Sequence, residues 1–433
     1  MTVESFSPLP SGVAGVVQVP GSKSVSNRAL VCAALANATS TVRGVASGDD
    51  TSRMIAGLQA LSARITPTPD AQNGGVDVLV HGGIDRATTH SVQVDAGLAG
   101  TTSRFLTAVA AVRAGNTTIT GGAGLLRRPM GDLHQMLQTL GVSVHAERAG
   151  YLPVTVAGSA EHQLSAVKHE LDARGDVSSQ FISAIMMIGP LLGGVHIRTH
   201  GDVVSHEYLM MTAQVMRAFG AVVNVAADGI IVDGGNYSGC NFSVDSDWSS
   251  ASYPFAAVAI AGGSVTVPGL RRDTTQPEAA FVEVLTRMGC TVRHEEQAVT
   301  VLRAVKQPLV GIDIDMSAMS DLVPTVAAMA VCATTPSRIR GVGFIRAKES
   351  DRLGDLAGEL ATCGADVVVE ADGLVITPAT LNGGDVQPHD DHRLAMSLAL
   401  LGLAGPAVRV HDAEVVTKSW PKYWSAMRSA MAR

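Results

Sequence analysis

The sequence is poor in charged and aromatic residues. Only 16% of its 433 residues are Asp, Glu, Lys or Arg, and 4% are Phe, Trp or Tyr. Hydrophobic residues make up 46% of the chain, which excludes intrinsic disorder because so much apolar surface can be buried. The chain is too long for one ordinary hydrophobic core, so we predict two or three domains or a repeat array.

Cysteine is also scarce. The five cysteines are scattered and form no CxxC pair, which argues against structural zinc and a disulfide framework and fits a reducing cytoplasm. The first residues lack the basic and apolar regions of a signal peptide, so we expect a cytoplasmic protein. Two long uncharged runs, 181–195 and 253–270, are interrupted by Pro and Gly and indicate buried elements rather than membrane spans.

The charge balance excludes further classes of partner. A net charge of −7 argues against a broad nucleic-acid surface and against binding to an anionic membrane. It does not exclude a local basic pocket. We therefore expect a monomer that binds small molecules, with no nucleic-acid or membrane partner.

An internal repeat organises the chain. An Ala-rich helix pattern follows a polar opening six times, with openings at residues 24, 101, 178, 249, 320 and 391. Each pattern is followed by a strand-like run, an amphipathic helix and, except in the last copy, a hairpin pattern. The sequence therefore predicts an α/β (α+β) fold of six βαβαββ-like units. We expect the strand-like residues 16–19 to supply the strands that the last copy lacks.

The differences between the copies are more informative about function than their common features. Basic residues lie near the helix openings and in the loops before the second helices. A helix N-terminus attracts anions, so a cation beside it is unfavourable unless an anion lies between them. If the openings converge, they form a strongly cationic pocket that suits a small ligand with several negative charges. The residues concerned are Lys23, Arg28, Arg104, Arg127, Arg128, Lys348, Arg352, Arg393 and Lys418.

Asp321 and Glu349 occur within this basic set and are candidates for proton transfer. Asp321 could instead be a helix N-cap, and Glu349 a salt-bridged residue in the first turn of a helix. We interpret Asp49 and Asp50 as capping rather than catalytic residues. The run 389–392 contains metal-binding residue types, but consecutive side chains do not easily converge on one ion, so we expect no metal there.

Several motifs in order resemble the 5-enolpyruvylshikimate-3-phosphate (EPSP) synthase family over nearly the whole chain. They are Pro20-Gly21-Ser22-Lys23-Ser24 with Asn27-Arg28, Ala99-Gly100-Thr101 with Arg104, Arg128-Pro129, Asp176-Val177-Ser178-Ser179-Gln180-Phe181, Lys348-Glu349-Ser350-Asp351-Arg352 and Asp391-His392-Arg393-Leu394-Ala395-Met396. The resemblance implies two similar domains of three βαβαββ repeats each, in the inside-out α/β barrel of the enolpyruvyl transferases. It implies one domain at 21–245, a second at 1–20 plus 246–433 that is closed by both termini, and an active site in the cleft between them.

The resemblance also implies the reaction. Members of the family transfer the enolpyruvyl group of phosphoenolpyruvate to the 5-hydroxyl of shikimate 3-phosphate and release phosphate. This step of the shikimate pathway leads to chorismate and the aromatic amino acids. It uses no cofactor and no metal, but it needs an acid, a base and cations for the phosphate and carboxylate groups.

By the same resemblance, the site residues fall into three groups. Asp321 would take the proton of the 5-hydroxyl and contact shikimate 3-phosphate, Glu349 would act at C3 of phosphoenolpyruvate, and Lys23 would mainly supply charge. Shikimate 3-phosphate would also contact Lys23, Ser24, Arg28, Ser178, Ser179, Gln180, Ser205, Tyr208 and Lys348. Phosphoenolpyruvate would contact Lys23, Gly100, Arg128, Gln180, Arg352, Arg393 and Lys418.

The chain departs from the family pattern in places. Many members have Asn and Pro at the positions of Leu98 and Phe105, and some have an Asn that contacts shikimate 3-phosphate at the position of Phe344. We expect function to survive these changes. Gly100 leaves room beside phosphoenolpyruvate where a methyl group would crowd a longer analogue, so we predict competitive inhibition by glyphosate.

Two alternative functions remain at this point. UDP-N-acetylglucosamine enolpyruvyl transferase shares the fold and the donor, but it usually relies on a cysteine in the loop that corresponds to residues 121–128, where this chain has none. A non-catalytic repeat scaffold that binds phosphorylated ligands would explain the repeats. It would not explain why Asp321 and Glu349 lie among the cations.

Overall fold

The computed structural model describes residues 2–69, 75–158, 168–201, 205–226 and 229–431. The chain forms two compact units. One is Gly21–Val244, which we name the contiguous unit, and the other combines Met1–Pro20 with Asp245–Arg433, which we name the split unit.

The contiguous unit follows strand β1 (Val13–Val16) in the sequence. Its helices are α1 (Lys23–Leu35), α2 (Asp49–Ala60), α3 (Gly100–Ala111), α4 (Ala123–Leu126), α5 (Gly131–Thr139), α6 (Ser179–Ile188) and α7 (His206–Ala218). Its strands are β2 (Ser40–Val45), β3 (Ile65–Pro69), β4 (Val76–Val80), β5 (Val92–Asp95), β6 (Gly115–Thr120), β7 (Ser143–Ala146), β8 (Val154–Gly158), β9 (His169–Arg174), β10 (Gly194–His200), β11 (Val223–Ala226), β12 (Gly229–Asp233) and β13 (Asn241–Ser243).

The split unit repeats the same kinds of element. Its helices are α8 (Trp248–Ala261), α9 (Phe281–Arg287), α10 (Val323–Val331), α11 (Gly354–Thr362), α12 (His392–Ala399) and α13 (Tyr423–Met431). After β1, its strands are β14 (Gly263–Pro268), β15 (Thr291–His294), β16 (Ala298–Arg303), β17 (Asp313–Asp315), β18 (Ser337–Arg340), β19 (Asp366–Glu370), β20 (Gly373–Thr377), β21 (Gly384–Val386) and β22 (Val408–Val410).

The sheets confirm the predicted repeat. In the described part of the contiguous unit, the strand orders are β13-β2-β4-β3, β5-β6-β8-β7 and β9-β10-β12-β11. In the split unit they are β1-β14-β16-β15, β17-β18-β20-β19 and the shorter pair β21-β22. Each four-stranded sheet joins a parallel pair, such as β5 and β6, to an antiparallel hairpin, such as β7 and β8. This is the βαβαββ unit that the sequence pattern predicts.

The second helices end as their sequences predict. Gly364 follows α11 with φ of +91°, and Gly141 follows α5 with φ of +79°. In the first repeat Ser62 occupies the same position with φ of +76°, so a residue with a Cβ adopts the left-handed conformation there. The turn recurs because the chain must reverse at once into the hairpin.

The first strands of two sheets come from distant parts of the sequence. Strand β13 lies parallel to β2 and completes the first sheet of the contiguous unit, and β1 lies parallel to β14 and completes the first sheet of the split unit. The prediction that residues 16–19 would complete the last repeat is therefore wrong. Strand β1 ends at Val16 and pairs with the free edge of β14. It takes this position because the strand directly before α8, β13, belongs to the other unit. In the last repeat, Glu4 forms an isolated antiparallel bridge to Val410.

The first helix of each repeat is buried on almost every side. Every residue of α8, α10 and α12 is buried. Such helices can pack closely only if their side chains are small and apolar, which explains the Ala-rich patterns. Three of their buried hydroxyls lie within hydrogen-bonding distance in a row: the Oγ of Ser252 and Oγ1 of Thr325 are 3.3 Å apart, and Oγ1 of Thr325 is 3.3 Å from Oγ of Ser397. Within the described ranges, no helix has both the length and the apolar character of a membrane span.

We predict that Arg303 stabilises the split unit by capping α8. Its buried side chain donates to the carbonyl oxygens of Val258 (3.4 Å), Ile260 (3.1 Å) and Gln307. Arg303→Met keeps most of the apolar stem but removes the guanidinium from which these oxygens accept, and Val258 keeps only its bond from the backbone N of Gly262. The free energy of unfolding should therefore fall by about 1–3 kcal/mol in urea denaturation. Arg293→Met, at an exposed position on β15, is the control. Equal losses in the two variants would contradict the capping role.

Candidate functional site

Helix starts and loops of the split unit bring predicted site residues together. Asp321 lies in a 3-10 turn, Ser317–Leu322, directly before α10, and Arg393 is the second residue of α12. The loop that ends at Arg352 follows a second 3-10 turn, Gly343–Ala347. The members of this group are Asp321, Lys348, Glu349, Arg352, Arg393 and Lys418.

Arg352 is the centre of this group. Its side chain is only 1% exposed. Its Nη1 lies 2.8 Å from Oδ1 of Asp321, its Nη2 lies 2.7 Å from Oε2 of Glu349, and its Nε lies 2.7 Å from Oδ2 of Asp391. Burial alone would lower the pKa of Arg352, but the surrounding carboxylates raise it above its ordinary value. The guanidinium is therefore a fixed positive charge.

Asp321 is held in its charged form. Its Oδ2 accepts a 2.7 Å hydrogen bond from Nη2 of Arg393, and its Oδ1 lies 3.4 Å from Nζ of Lys348. Burial alone would raise the pKa of Asp321, but Arg393, Lys348 and Arg352 outweigh it and hold the pKa well below its usual range. Leu322, not Asp321, occupies the N-cap position of α10, so the capping alternative is excluded.

Glu349 lies between two cations. Its Oε1 is 3.4 Å from Nζ of Lys418, and its Oε2 is bonded to Arg352. Its side chain is 13% exposed and that of Lys418 is 6% exposed. Helix α11 begins only at Gly354, so Glu349 is salt-bridged but is not in the first turn of a helix. Asp321 and Glu349 are thus two carboxylates that share Arg352, an arrangement suited to proton transfer beside bound anions.

Asp391 belongs to this cluster, and the sequence analysis did not assign it to the site. It is fully buried, caps α12 by accepting from the backbone N of Arg393 (2.9 Å), and accepts from Arg352 and from Oγ of Ser350 (3.2 Å). The sequence did contain a signal for this role, since Asp391 stands directly before the predicted helix that contains Arg393. Among the described residues of this cluster, cations and carboxylates are almost equal in number. The sequence predicts a strongly cationic pocket. In this cluster the cations are instead matched by acids, because buried charges require partners.

In the contiguous unit, Lys23 is paired with Asp50. The Nζ of Lys23 lies 2.8 Å from Oδ2 of Asp50, and the Asp50 side chain is 5% exposed. Gly48 is the N-cap of α2, and Asp50 lies in the first turn. Asp50 therefore does not cap α2 as predicted. Its carboxylate instead orients the ammonium of Lys23.

Arg28 is almost fully buried on α1, with 2% exposure. Its Nε donates to Oγ1 of Thr212 (2.7 Å), its Nη1 donates to the carbonyl oxygen of Ser24 (3.0 Å), and its Nη2 donates to Oγ of Ser183 (3.4 Å). Thr212 belongs to α7 and Ser183 to α6, so this one side chain joins three helices. The ring of Tyr208, in the first turn of α7, is centred 5.8 Å from Cζ of Arg28.

The starts of α3 and α6 also meet. Nη1 of Arg104, on α3, donates to Oε1 of Gln180 at 2.5 Å. Ser178 caps α6 by accepting from the backbone N of Gln180, and Ser179 is the first residue of that helix. These contacts bring the Ser-Ser-Gln motif beside the start of α3. Ser205 precedes α7 with φ of +56°, directly after residues 202–204, which lie outside the described part.

Gly100 and Arg128 are close neighbours. Gly100 is the first residue of α3, and a Cβ added there would lie 2.4 Å from Nη1 of Arg128 and 2.7 Å from its Cζ. Arg128 is buried, with 7% exposure. The absence of a side chain at Gly100 therefore fixes where the guanidinium of Arg128 can lie.

The run 389–392 is used for internal contacts. Nε2 of His389 lies 2.6 Å from Oε1 of Glu359, His392 is buried, and Asp391 holds Arg352. No group of His, Cys, Asp and Glu side chains among the described residues is arranged to hold a metal ion.

The family model for EPSP synthase (3-phosphoshikimate 1-carboxyvinyltransferase) matches residues 9–427. The chain belongs to the EPSP synthase family. Proteins named 3-phosphoshikimate 1-carboxyvinyltransferase from Methanosphaerula palustris and Methanoregula boonei are 40% and 39% identical to it. These alignments cover 94% and 98% of this chain and 95% and 99% of the relatives.

The fold agrees with that of solved members of the EPSP synthase family. A structure of EPSP synthase from Acinetobacter baumannii has a TM-score of 0.80 and 26% identity, and the match covers 99% of this chain and 98% of that one. The predicted family and the α/β fold of repeated βαβαββ units are confirmed. The rival enolpyruvyl transferase is not favoured, since the matches carry the EPSP synthase name.

We predict that Asp321 stabilises the split unit in a pH-dependent way. Because the pKa of Asp321 is lower in the folded chain than in the unfolded one, its contribution is full above about pH 4 and is lost as the pH falls below that value. Asp321→Asn should lower the free energy of unfolding by about 2–4 kcal/mol at pH 7. In urea denaturation, this difference from the parent chain should shrink as the pH falls from about 5 to about 3, the range in which aspartate titrates. Asp366→Asn, at an exposed position on β19, is the control. A difference that does not change with pH would contradict this role.

Proposed function

We propose that the chain transfers the enolpyruvyl group of phosphoenolpyruvate to the 5-hydroxyl of shikimate 3-phosphate and releases phosphate. The observation that carries the proposal is the buried cluster in which Asp321 and Glu349 share Arg352. This pairing of candidate proton carriers with cations occurs in a member of the EPSP synthase family. A non-catalytic phosphate-binding scaffold would not need two carboxylates among the groups that bind anions.

Phosphoenolpyruvate brings a carboxylate and a phosphate that need cations. In the split unit these are Arg352, Arg393 and Lys418, all nearly buried. In the contiguous unit they are Lys23 and Arg128, with Gly100 leaving the space beside Arg128. Guanidinium groups can bind the carboxylate through two parallel hydrogen bonds, which would orient C2 and C3.

Shikimate 3-phosphate requires hydroxyl and cationic groups. The helix starts of the contiguous unit supply both kinds, and Lys348 of the split unit adds a further cation. The proposed contacts are Lys23, Ser24, Arg28, Ser178, Ser179, Gln180, Ser205, Tyr208, Asp321 and Lys348. The proposed contacts thus include residues of both units.

Three proton transfers accompany the reaction. Asp321 accepts the proton of the 5-hydroxyl as the hydroxyl oxygen bonds to C2, while Glu349, in its acid form, gives its proton to C3. The tetrahedral intermediate then loses phosphate from C2, and Glu349 takes one proton back from C3, which restores the double bond on the new ether. The proton held by Asp321 leaves with the phosphate. Lys23 and Arg128 neutralise the charge on the departing phosphate.

Substrate binding also changes the basicity of Asp321. In the free chain, Arg393, Lys348 and Arg352 hold the pKa of this carboxylate low. The anionic groups of phosphoenolpyruvate compete for the same cations. Asp321 is then a stronger base when the substrate is present than when it is absent.

The proposal includes a cytoplasmic location and a monomeric state. The scattered cysteines, all five of them free, support the first expectation. A mass of two chains in light scattering would contradict the second.

One assay tests the proposed reaction. The purified protein is incubated with phosphoenolpyruvate and either shikimate 3-phosphate or UDP-N-acetylglucosamine, and phosphate release is followed. Release only with shikimate 3-phosphate is expected. Release with UDP-N-acetylglucosamine would assign the other acceptor, and release with neither would favour a binding scaffold.

We predict that Asp321→Ala and Glu349→Gln each reduce turnover by about 10²- to 10⁴-fold, because each removes a proton carrier. Both substrates should still bind in calorimetry, since the cations remain. Asp313→Ala, which removes an exposed carboxylate on β17, is the matched control and should retain turnover. Full turnover in either of the first two variants would remove that residue from the mechanism.

We predict that Gly100→Ala weakens phosphoenolpyruvate binding. The new methyl group would overlap the guanidinium of Arg128 and displace it. The KM for phosphoenolpyruvate should rise by about ten- to hundredfold, and glyphosate should inhibit less well, with little change in the KM for shikimate 3-phosphate. Gly358→Ala is the control, because nothing lies within 4 Å of a Cβ at that position. Unchanged phosphoenolpyruvate KM and glyphosate inhibition in Gly100→Ala would refute the steric argument.

A further inference from the structure

Two phenylalanines at positions that depart from the family pattern lie beside cations. Phe105, where many members have Pro, lies on α3, and its ring is centred 5.3 Å from Cζ of Arg28. Phe344, where some members have Asn, lies in the 3-10 turn Gly343–Ala347, and its ring is centred 5.8 Å from Nζ of Lys348. Both cations belong to the group proposed to bind shikimate 3-phosphate.

Phe105 helps to accommodate a buried positive charge. Phe105 is fully buried, and Arg28 is 2% exposed. The hydrogen bonds from Arg28 to Thr212, Ser24 and Ser183 use neutral oxygen atoms, which orient the guanidinium but bring no negative charge. The faces of aromatic rings carry partial negative charge, and their attraction for a cation grows when water is excluded. Phe105 thus offers this cation a favourable electrostatic surface as well as apolar contact.

Phe344 lies beside the flexible side chain of Lys348 and restricts the position of its ammonium. Its half-buried ring packs against the hydrophobic core of the split unit, so its position is fixed by that core. Lys348 has a long side chain with several freely rotating bonds, and its ammonium lies between the ring and the carboxylate of Asp321, 3.4 Å away. When Asp321 takes part in proton transfer, the ring keeps its attraction for the ammonium, because an aromatic face does not titrate.

We propose that Phe105 and Phe344 are positioning residues for shikimate 3-phosphate, each acting through the cation beside it. The inference rests on the proposed function, since it assigns Arg28 and Lys348 to that substrate. It replaces the expectation that Phe344 merely loses a contact. Where other members have Pro or Asn, this chain has aromatic rings that hold Arg28 and Lys348 in place. The effect is therefore expected on the binding of shikimate 3-phosphate and not on that of phosphoenolpyruvate.

Leucine variants test the two rings separately. Phe344→Leu and Phe105→Leu keep an apolar side chain but remove the aromatic face. The KM for shikimate 3-phosphate should rise by about 3- to 30-fold in each, with kcat and the KM for phosphoenolpyruvate changed by less than about twofold. Phe344→Tyr retains the ring and should restore the KM of the parent chain. Calorimetric titration with shikimate 3-phosphate alone should show the same order of affinities without turnover.

A matched control separates positioning from stability. Phe219 is as fully buried as Phe105, belongs to the same unit, and packs on Phe242 at 5.8 Å between ring centroids. Phe219→Leu should lower the unfolding temperature as much as Phe105→Leu but leave the KM for shikimate 3-phosphate unchanged. An equal rise of both KM values in the Leu variants, or no rise in shikimate 3-phosphate KM, would overturn the positioning role.

The outcomes also distinguish this inference from the proposed function. If the parent chain releases phosphate and the Leu variants bind shikimate 3-phosphate as it does, only the positioning role fails. If the parent chain neither turns over nor binds shikimate 3-phosphate, both proposals fail.

Discussion

The rest of the structure depends on the nearly complete burial of the first helix of each repeat. Helices such as α8 and α10 have no solvent-facing side, so their side chains must be small, apolar or paired with one another. This constraint accounts for a chain with 16% charged and 4% aromatic residues. It also leaves only the helix ends and the adjoining loops for polar chemistry. The unpaired N–H groups at those ends favour anions, so the constraint that builds the core also places the candidate site.

A second constraint follows from burying charge near those ends. Arg352 is 1% exposed, and a charge so deeply buried requires acidic partners, which Asp321, Glu349 and Asp391 provide. An anionic substrate that binds to these cations must therefore replace their acidic partners. The exchange reduces the net gain in affinity, but it keeps the cations in fixed positions before the substrate arrives. Under the proposed function, two of the acids released by the exchange, Asp321 and Glu349, are the candidates for proton transfer.

The sequence predicted the features that depend on local pattern. The openings of the helices, the left-handed residue after most second helices and the hairpins all follow from local pattern over a few residues, and the motifs indicated the candidate site residues. Contacts between distant residues were not predictable in this way. Nothing near β1 in the sequence indicates that β14 is its partner, and Arg352 and Asp391 are separated by 39 positions. The role of Asp50 was missed for a related reason, since an acid in the first turn of a helix is usually explained by the helix itself.

Strands β1 and β13 each pair with a strand that is distant in the sequence, and this sets the order in which the sheets can form during synthesis. The contiguous unit acquires its last strand, β13, at the end of its own sequence, so it has every strand it needs as soon as that segment leaves the ribosome. Strand β1 is made first, but its partner β14 is separated from it by roughly 250 residues, a delay on the order of ten seconds or more during synthesis. The N-terminal segment must therefore stay unpaired while a whole unit folds behind it. It can complete the first sheet of the split unit only after β14 has been made.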